Sequence, residues 1–138
     1  MADTFTLEIV SPAKILFSGE VDTVTAPAIN GEFGVLAGHT EFLAILVPGE
    51  VKYTSGGSTV SMVVSSGYSE VGPEKTSILV ESATLTSDID LNKAEAELKE
   101  TTTALASMTE EDSAYRDLTE RSALASAMIE VAGKPKGH

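Results

Sequence analysis

Apolar and polar residues alternate along the first part of the chain with the period of two expected of a half-buried β-strand. Phe5, Leu7 and Ile9 stand at every second position, as do Val60, Met62 and Val64 and, later, Ile78 and Val80. The pattern predicts β-structure over residues 3–86. A turn is expected at Ser18-Gly19, followed by Val21, Val24 and Ala26. Phe42-Leu43-Ala44-Ile45-Leu46-Val47 is a continuous apolar run closed by Pro48-Gly49, which predicts a strand buried on both faces. Val51 and Tyr53 lead into Ser55-Gly56-Gly57-Ser58, a hairpin turn whose return strand carries Val60, Met62 and Val64. Tyr68 and Val71 follow, then the break at Gly72-Pro73. Short strands with turn signals every 8–12 residues or so predict a sandwich or barrel.

The period changes at Ser87. Ser87-Asp88-Ile89-Asp90 has the Ser/Thr-x-x-acid form of a helix N-terminus. Leu91, Ala94, Leu98, Leu105 and Met108 then recur at helical spacing, with Thr101 filling the gap. A second such signature, Thr109-Glu110-Glu111-Asp112, predicts the start of another helix with Tyr115, Leu118, Ser122, Ala125, Ile129 and Ala132 on one face. Gly133 and Pro135 stop it. Two amphipathic helices with a short polar break predict an antiparallel hairpin. Its seam is mostly Ala, Ser and Thr. Burying a Leu is worth about 1.5–3 kcal/mol and Ala far less, and Thr101, Thr102 and Thr103 each lower helix propensity by a few tenths of a kcal/mol. The hairpin is therefore expected to be weakly self-stabilised, able to dock, undock or pair with a partner. The reading is α+β: an N-terminal antiparallel β-sandwich over residues 1–86, then a two-helix hairpin over residues 87–138.

Composition narrows the function. The 138 residues carry a net charge of −12, which repels phosphate backbones and anionic lipid headgroups alike. Nucleic acid is not expected as a partner, and membrane contact is expected only through other proteins. Cysteine is absent, which excludes disulfides, thiolate metal sites and cysteine nucleophiles. No apolar run approaches the roughly 20 residues of a spanning helix. Met1-Ala2-Asp3 opens no secretion signal, and no Arg-rich transit peptide follows.

The densest signal is Gly31-Glu32-Phe33-Gly34-Val35-Leu36-Ala37-Gly38-His39-Thr40, then Pro48-Gly49-Glu50-Val51. Glycines mark shaped turns, and a carboxylate, an aromatic ring and an imidazole between them suit a contact surface. Glu32 is expected on an exposed tip. As a catalytic acid it would need a second carboxylate or a base beside it. His39 is the only internal histidine, and a metal site needs three or four ligands, so no metal is expected. No Ser-His-Asp set, phosphate loop or HExxH occurs, and no catalytic residue is assigned.

These residues, with Leu7-Glu8-Ile9-Val10-Ser11-Pro12, Phe17-Ser18-Gly19-Glu20-Val21, Val24-Thr25-Ala26-Pro27, Gly67-Tyr68-Ser69-Glu70-Val71, Ile78-Leu79-Val80-Glu81 and Asp88-Ile89-Asp90, closely resemble the ε subunit of F-type ATP synthases over residues 4–95. Departures are local: Ala28 stands for a usual Gly, Ala37 and Glu41 for Pro, and Ser66 for the first Gly of a pair. The resemblance implies a non-catalytic rotor subunit of the central stalk of a proton-translocating synthase, coupling c-ring rotation to the γ shaft. It implies a peripheral place at the cytoplasmic face of a bacterial inner membrane, with the stromal face of a plastid thylakoid as the alternative. It puts Gly31, Glu32 and Phe33 at the c-ring and His39 and Thr40 at γ. The hairpin, when extended, would reach the α/β catalytic head and inhibit ATP hydrolysis. Residues 87–138 hold 11 acids and 6 bases, a balance of −5, and the head is itself acidic, so weak inhibition is expected. Some relatives bind ATP through an Ile-Asp-x-x-Arg-Ala stretch. Asp90 and Lys93 occupy its positions, but Lys replaces the planar fork of Arg by a point charge. Leu124 and Met128 stand where arginines contact nucleotide. No cofactor is expected, and Asp88 and Asp90 read as helix caps.

Two other classes make different demands. A free-standing small-molecule-binding β-domain with a helical cap needs a sizeable apolar pocket. A hydrolase or metalloenzyme needs Glu32, His39 and Glu41 to converge. The rotor reading calls for an exposed apolar patch on the sandwich.

Overall fold

Alternation sends one side chain in two from each strand into a common interior, and the ten strands share one core. The computed structural model describes residues 3–134. The strands are β1 (Phe5–Val10), β2 (Ile15–Val21), β3 (Thr23–Ala28), β4 (Gly31–Val35), β5 (Phe42–Leu46), β6 (Gly49–Ser55), β7 (Ser58–Val64), β8 (Gly67–Val71), β9 (Lys75–Val80) and β10 (Ala83–Leu85). A 3₁₀ turn at Thr86–Asp88 leads to α1 (Leu91–Leu105) and α2 (Tyr115–Ala132). The strand order is β10-β7-β6-β3-β5-β8-β9-β1-β2, with β4 paired to β3 beside this path. β1 runs parallel to β9 and antiparallel to its hairpin partner β2. Phe5, Leu7, Ile9, Val24, Val51, Val64 and Ile78 fill the interior.

The path folds over so that β2 meets β6. The ring of Phe17 on β2 stacks on Tyr53 of β6 with centroids 4.3 Å apart. Beside it the Asp22 N–H donates to Thr54 O at 2.7 Å and the Ser55 hydroxyl donates to Glu20 O at 2.9 Å. This closure corrects the expected Ser18-Gly19 turn. Gly19 lies inside β2, and a Cβ there would sit 3.1 Å from the Phe17 ring. The glycine makes room for the ring instead of turning the chain. The turn lies earlier, where Ser11 N–H donates to Lys14 O at 2.9 Å.

The apolar run at residues 42–47 is also corrected. Leu46 is buried, but Leu43 and Ile45 are 66% and 58% exposed. Only one face of β5 meets the core, and among the described residues no second layer covers the other.

The helix starts differ from their signatures. Asp90, not Ser87, caps α1, its Oδ1 accepting from Lys93 N–H at 3.1 Å. Ser87 and Asp88 belong to the 3₁₀ turn. Thr109-Glu110-Glu111-Asp112 forms turns, with Thr109 N–H donating to Asp112 Oδ2 at 2.9 Å. α2 begins only at Tyr115. Val131, not Ala132, is the buried residue near its end. Pro135, expected to stop α2, lies outside the described residues, as do Met1 and Ala2 at the start of the chain.

The seam between α1 and α2 buries Ala94, Thr101 and Ala125, small side chains with little apolar area. Thr101 Oγ1 donates to Glu97 O at 2.9 Å within its own helix. Arg121 closes the seam from α2, donating to both Glu97 oxygens at 2.7 and 3.0 Å. α2 then packs on the outer face of β6 and β7. There Val63 is fully buried although its neighbours Met62 and Val64 belong to the core.

Gly67 is a steric requirement. A Cβ at this position would lie 1.9 Å from Leu79 O on β9, whereas one at Gly34 would make ordinary contact at 3.7 Å. Gly67→Ala is expected to cost roughly 3 kcal/mol in urea unfolding, and Gly34→Ala less than about 1 kcal/mol. Equal costs would refute the close approach.

Three carboxylates are held below their ordinary range. Hydrogen bonds from Thr6 and Thr4 lower Glu20, and the Arg121 guanidinium lowers Glu97. Burial acts to raise Glu50, but hydrogen bonds from Ser61 and Lys134 outweigh it. A depressed folded-state pKa contributes stability that is present above the unfolded value, about 4.3 for Glu, and lost as pH falls through the lower folded value. The melting temperature is therefore expected to hold from pH 7 to about 5 and to fall below about 4. Glu97→Gln should flatten part of that fall, and an unaltered acid limb in this variant would count against the Arg121 pairing.

Candidate functional site

The sandwich has two outer faces, and the chain covers one. α2 lies over β6 and β7. On the other side, β5 and β8 pair so that Ile45 stands opposite Tyr68 and Leu43 opposite Glu70. Tyr68 in turn stands opposite Leu79 of β9. Ile29 joins them, its N–H donating to Ile45 O at 2.9 Å. Ile29, Leu43, Ile45 and Tyr68 are all exposed. Their side chains point outward because Leu46, Ser69, Ile78 and Val80 take the alternate, inward positions. The face continues into an open groove of about 310 Å³ between Val10, Ser11 and Pro12 on one side and Gly67, Tyr68 and Leu79 on the other. Contiguous apolar surface of this kind marks a place where another molecule is received.

The glycine-rich run forms an edge beside this face. Its turn falls at Ile29 and Asn30, and Gly31, with φ of +121°, starts β4. Glu32 is therefore exposed on a strand opposite Pro27, not on the loop tip that the sequence suggests. Phe33 is half-buried and meets Phe42 edge-on at 5.3 Å. His39 meets the same Phe42 ring at 5.2 Å, and its Nδ1 lies 2.9 Å from Thr40 O. The loop carrying it is tied down by Gly38, with φ of +81°, whose N–H donates to Pro73 O at 2.9 Å. One aromatic cluster thus joins the edge of Gly31, Glu32 and Phe33 to the loop of His39 and Thr40. Sequence reading treats these as two separate sites. The intervening Phe42, three residues after His39, is the signal that links them.

A second cleft of about 420 Å³ separates the sandwich from α2. It is lined by Pro27, Glu32, Glu50, Ala127, Glu130 and Lys134, among others. Lys134 Nζ donates to Glu50 Oε1 at 3.1 Å. The hydrogen bond and charge of Glu50 raise the Lys134 pKa, with Glu130 and Glu32 adding to the field. At the start of α1, Asp90 is occupied as a cap and Lys93 is exposed. Among the described residues, no three His, Asp or Glu side chains gather closely enough to hold a metal ion, and no helix is long and apolar enough to cross a membrane.

Sequence reasoning missed the face of Leu43, Ile45 and Tyr68, which the fold leaves open. An unbroken apolar run reads as doubly buried in one chain, and a face awaiting a partner has the same composition.

Comparison with known proteins agrees over the whole chain. A family model described as the ATP synthase, Delta/Epsilon chain, beta-sandwich domain matches residues 4–86. The ATP synthase epsilon chain of Geobacter metallireducens is 41% identical over 136 residues, covering 97% of each chain. That of Trichlorobacter lovleyi is 43% identical over the same length and the same shares. A chain in the cryo-EM structure of the Euglena gracilis mitochondrial ATP synthase (OSCP/F1/c-ring) superposes with a TM-score of 0.78 at 23% identity. The match covers 92% of this chain and 80% of that one, and it shows the same fold. Nothing among these relatives supports a free-standing small-molecule-binding domain. With the sandwich matched nearly end to end and the full length aligned at about two residues in five, the chain belongs to the ATP synthase epsilon-chain family.

Proposed function

We propose that this chain is a non-catalytic rotor subunit of the central stalk, coupling c-ring rotation to the γ shaft of a proton-translocating ATP synthase. The observation that carries the reading is the uncovered apolar face of Ile29, Leu43, Ile45 and Tyr68, on a chain with full-length kinship to epsilon chains. Apolar surface in water is unfavourable by about 25 cal/mol per Å², so a face of this extent is best explained by a permanent neighbour. The γ subunit is that neighbour in this reading, with His39 and Thr40 at the rim. Gly31, Glu32 and Phe33 meet the polar loops of the c-ring from the adjoining edge. The sandwich of residues 1–86 carries both contacts, and residues 87–138 form the regulatory unit. The subunit is peripheral at the cytoplasmic face of the inner membrane. Its net charge of −12 leaves attachment to protein partners and not to anionic lipid.

Tagging the chain in its native host and purifying from detergent-solubilised membranes tests the reading. Recovery of γ, the catalytic-head subunits and the c-ring is expected. Recovery of the chain alone from cytosol would overturn it. Ile45→Asp and Tyr68→Asp should each weaken γ recovery by at least about tenfold, as truncated interface anchors do. Both side chains are exposed, so unfolding stability should stay within about 0.5 kcal/mol.

The hairpin is proposed to restrain ATP hydrolysis when it extends toward the α/β head, and only weakly, because its balance of −5 opposes an acidic target. ATP is not proposed as its ligand, since Lys93 replaces the arginine fork. Deleting the chain after Ser87 in the assembled synthase should raise hydrolysis by less than about tenfold. A larger rise would mean that inhibition is strong.

A further inference from the structure

Carboxylate hydrogen bonds join the hairpin to the sandwich at two points. Ser66, in the connection between β7 and β8, donates twice to one side chain of α2. Its backbone N–H reaches Glu120 Oε2 at 2.8 Å and its hydroxyl reaches Glu120 Oε1 at 2.6 Å. At the other end of α2, Lys134 donates to Glu50 Oε1 at 3.1 Å. Glu50 is itself fixed by the Ser61 hydroxyl at 2.5 Å, and Ser61 in turn lies 2.6 Å from Thr86 Oγ1 beside the start of the hairpin. Between these two points the helix lines an open cleft of about 420 Å³ with Ala123, Ser126, Ala127, Glu130 and Val131, and of these Val131 is the buried apolar side chain. Val63 is the one large apolar side chain of β6 and β7 buried on this outer face. The helix is thus held at its two ends and loosely packed between them.

We infer that the Glu120–Ser66 and Lys134–Glu50 pairs form a two-point polar latch that sets the balance between docked and released hairpin. The Glu120 clamp is the stronger point. It joins a charged acceptor to two donors in a part-buried setting, and such bonds are worth more than neutral ones. The Lys134 pair is the weaker point, because its ammonium side chain is 52% exposed and exposed pairs contribute little. Release also removes the Lys134 charge from beside Glu32 and Glu50, so the edge proposed to face the c-ring becomes more negative when the hairpin leaves. The latch itself concerns one chain and stands independently of any effect on hydrolysis.

The absence of cysteine allows spin labels at Thr59→Cys, exposed at the start of β7, and Glu110→Cys at the hairpin tip of the full chain. The distance distribution between them reads the docked and released fractions directly. Glu120→Ala is expected to raise the released-to-docked ratio by roughly tenfold, Ser66→Gly, which keeps the N–H bond, by roughly threefold, and Lys134→Gln by no more than about twofold. Raising NaCl to about 0.5 M should shift the unaltered chain in the same direction by screening the Lys134 pair, and Lys134→Gln should lose most of that response. A distribution in Glu120→Ala matching that of the unaltered chain would overturn the clamp. Salt-independent populations in the unaltered chain would overturn the second point without needing any variant to fold.

Discussion

The stacking of Phe17 on Tyr53 at 4.3 Å brings the last strand of the path back onto the middle of it, and the other features follow from that closure. Two layers face each other only because β2 reaches β6. Gly19 permits it by leaving space for the ring, and the hydrogen bonds of Asp22 and Ser55 hold the corner. Once the layers are closed, every second residue of each strand is committed to the interior and its neighbour to an outer face.

The two outer faces then diverge. On β6 and β7 the outward residues are Glu50, Ser61 and Val63; Glu50 accepts from Lys134 just beyond α2, Val63 is buried, and Ser66 after β7 donates twice to Glu120. On β5 and β8 the outward residues are Leu43, Ile45 and Tyr68, and among the described residues no segment of the chain lies over them. Polar contacts suit an element that leaves and returns, because each lost bond is replaced by one to water. A broad apolar face suits a neighbour that stays. The chemistry of the two faces thus matches the two roles proposed for them, a regulatory hairpin and a fixed rotor contact.

Much of this was legible along the chain. Alternation at Phe5, Leu7 and Ile9 and at Val60, Met62 and Val64 marks true core strands, and the Gly56-Gly57 hairpin falls where its sequence says. Helical spacing after Leu91 yields both helices and the small side chains of their seam. Legibility fails where a side chain's role depends on something distant. Gly19 is read as a turn because glycine commonly makes turns, and the ring that requires it is stacked on a residue 34 positions beyond. Ser87 has the form of a cap, yet the 3₁₀ turn pushes the helix start to Asp90. Glu120 looks like any exposed helix carboxylate until Ser66, 54 positions away, is placed against it.

Sequence by itself determined most of the strands, the two helices, the acidic charge balance and the family, because periodicity, turn chemistry and motif order are local properties written in consecutive residues. Only the tertiary structure decided which face of β5 is bare, which residues meet across the aromatic cluster of Phe33, His39 and Phe42, and what holds the hairpin down. An apolar residue is driven out of water without specifying what will cover it. Whether Ile45 is met by this chain's own helices or left for another subunit depends on where the layers come to lie, and that is a property of the closed sandwich as a whole.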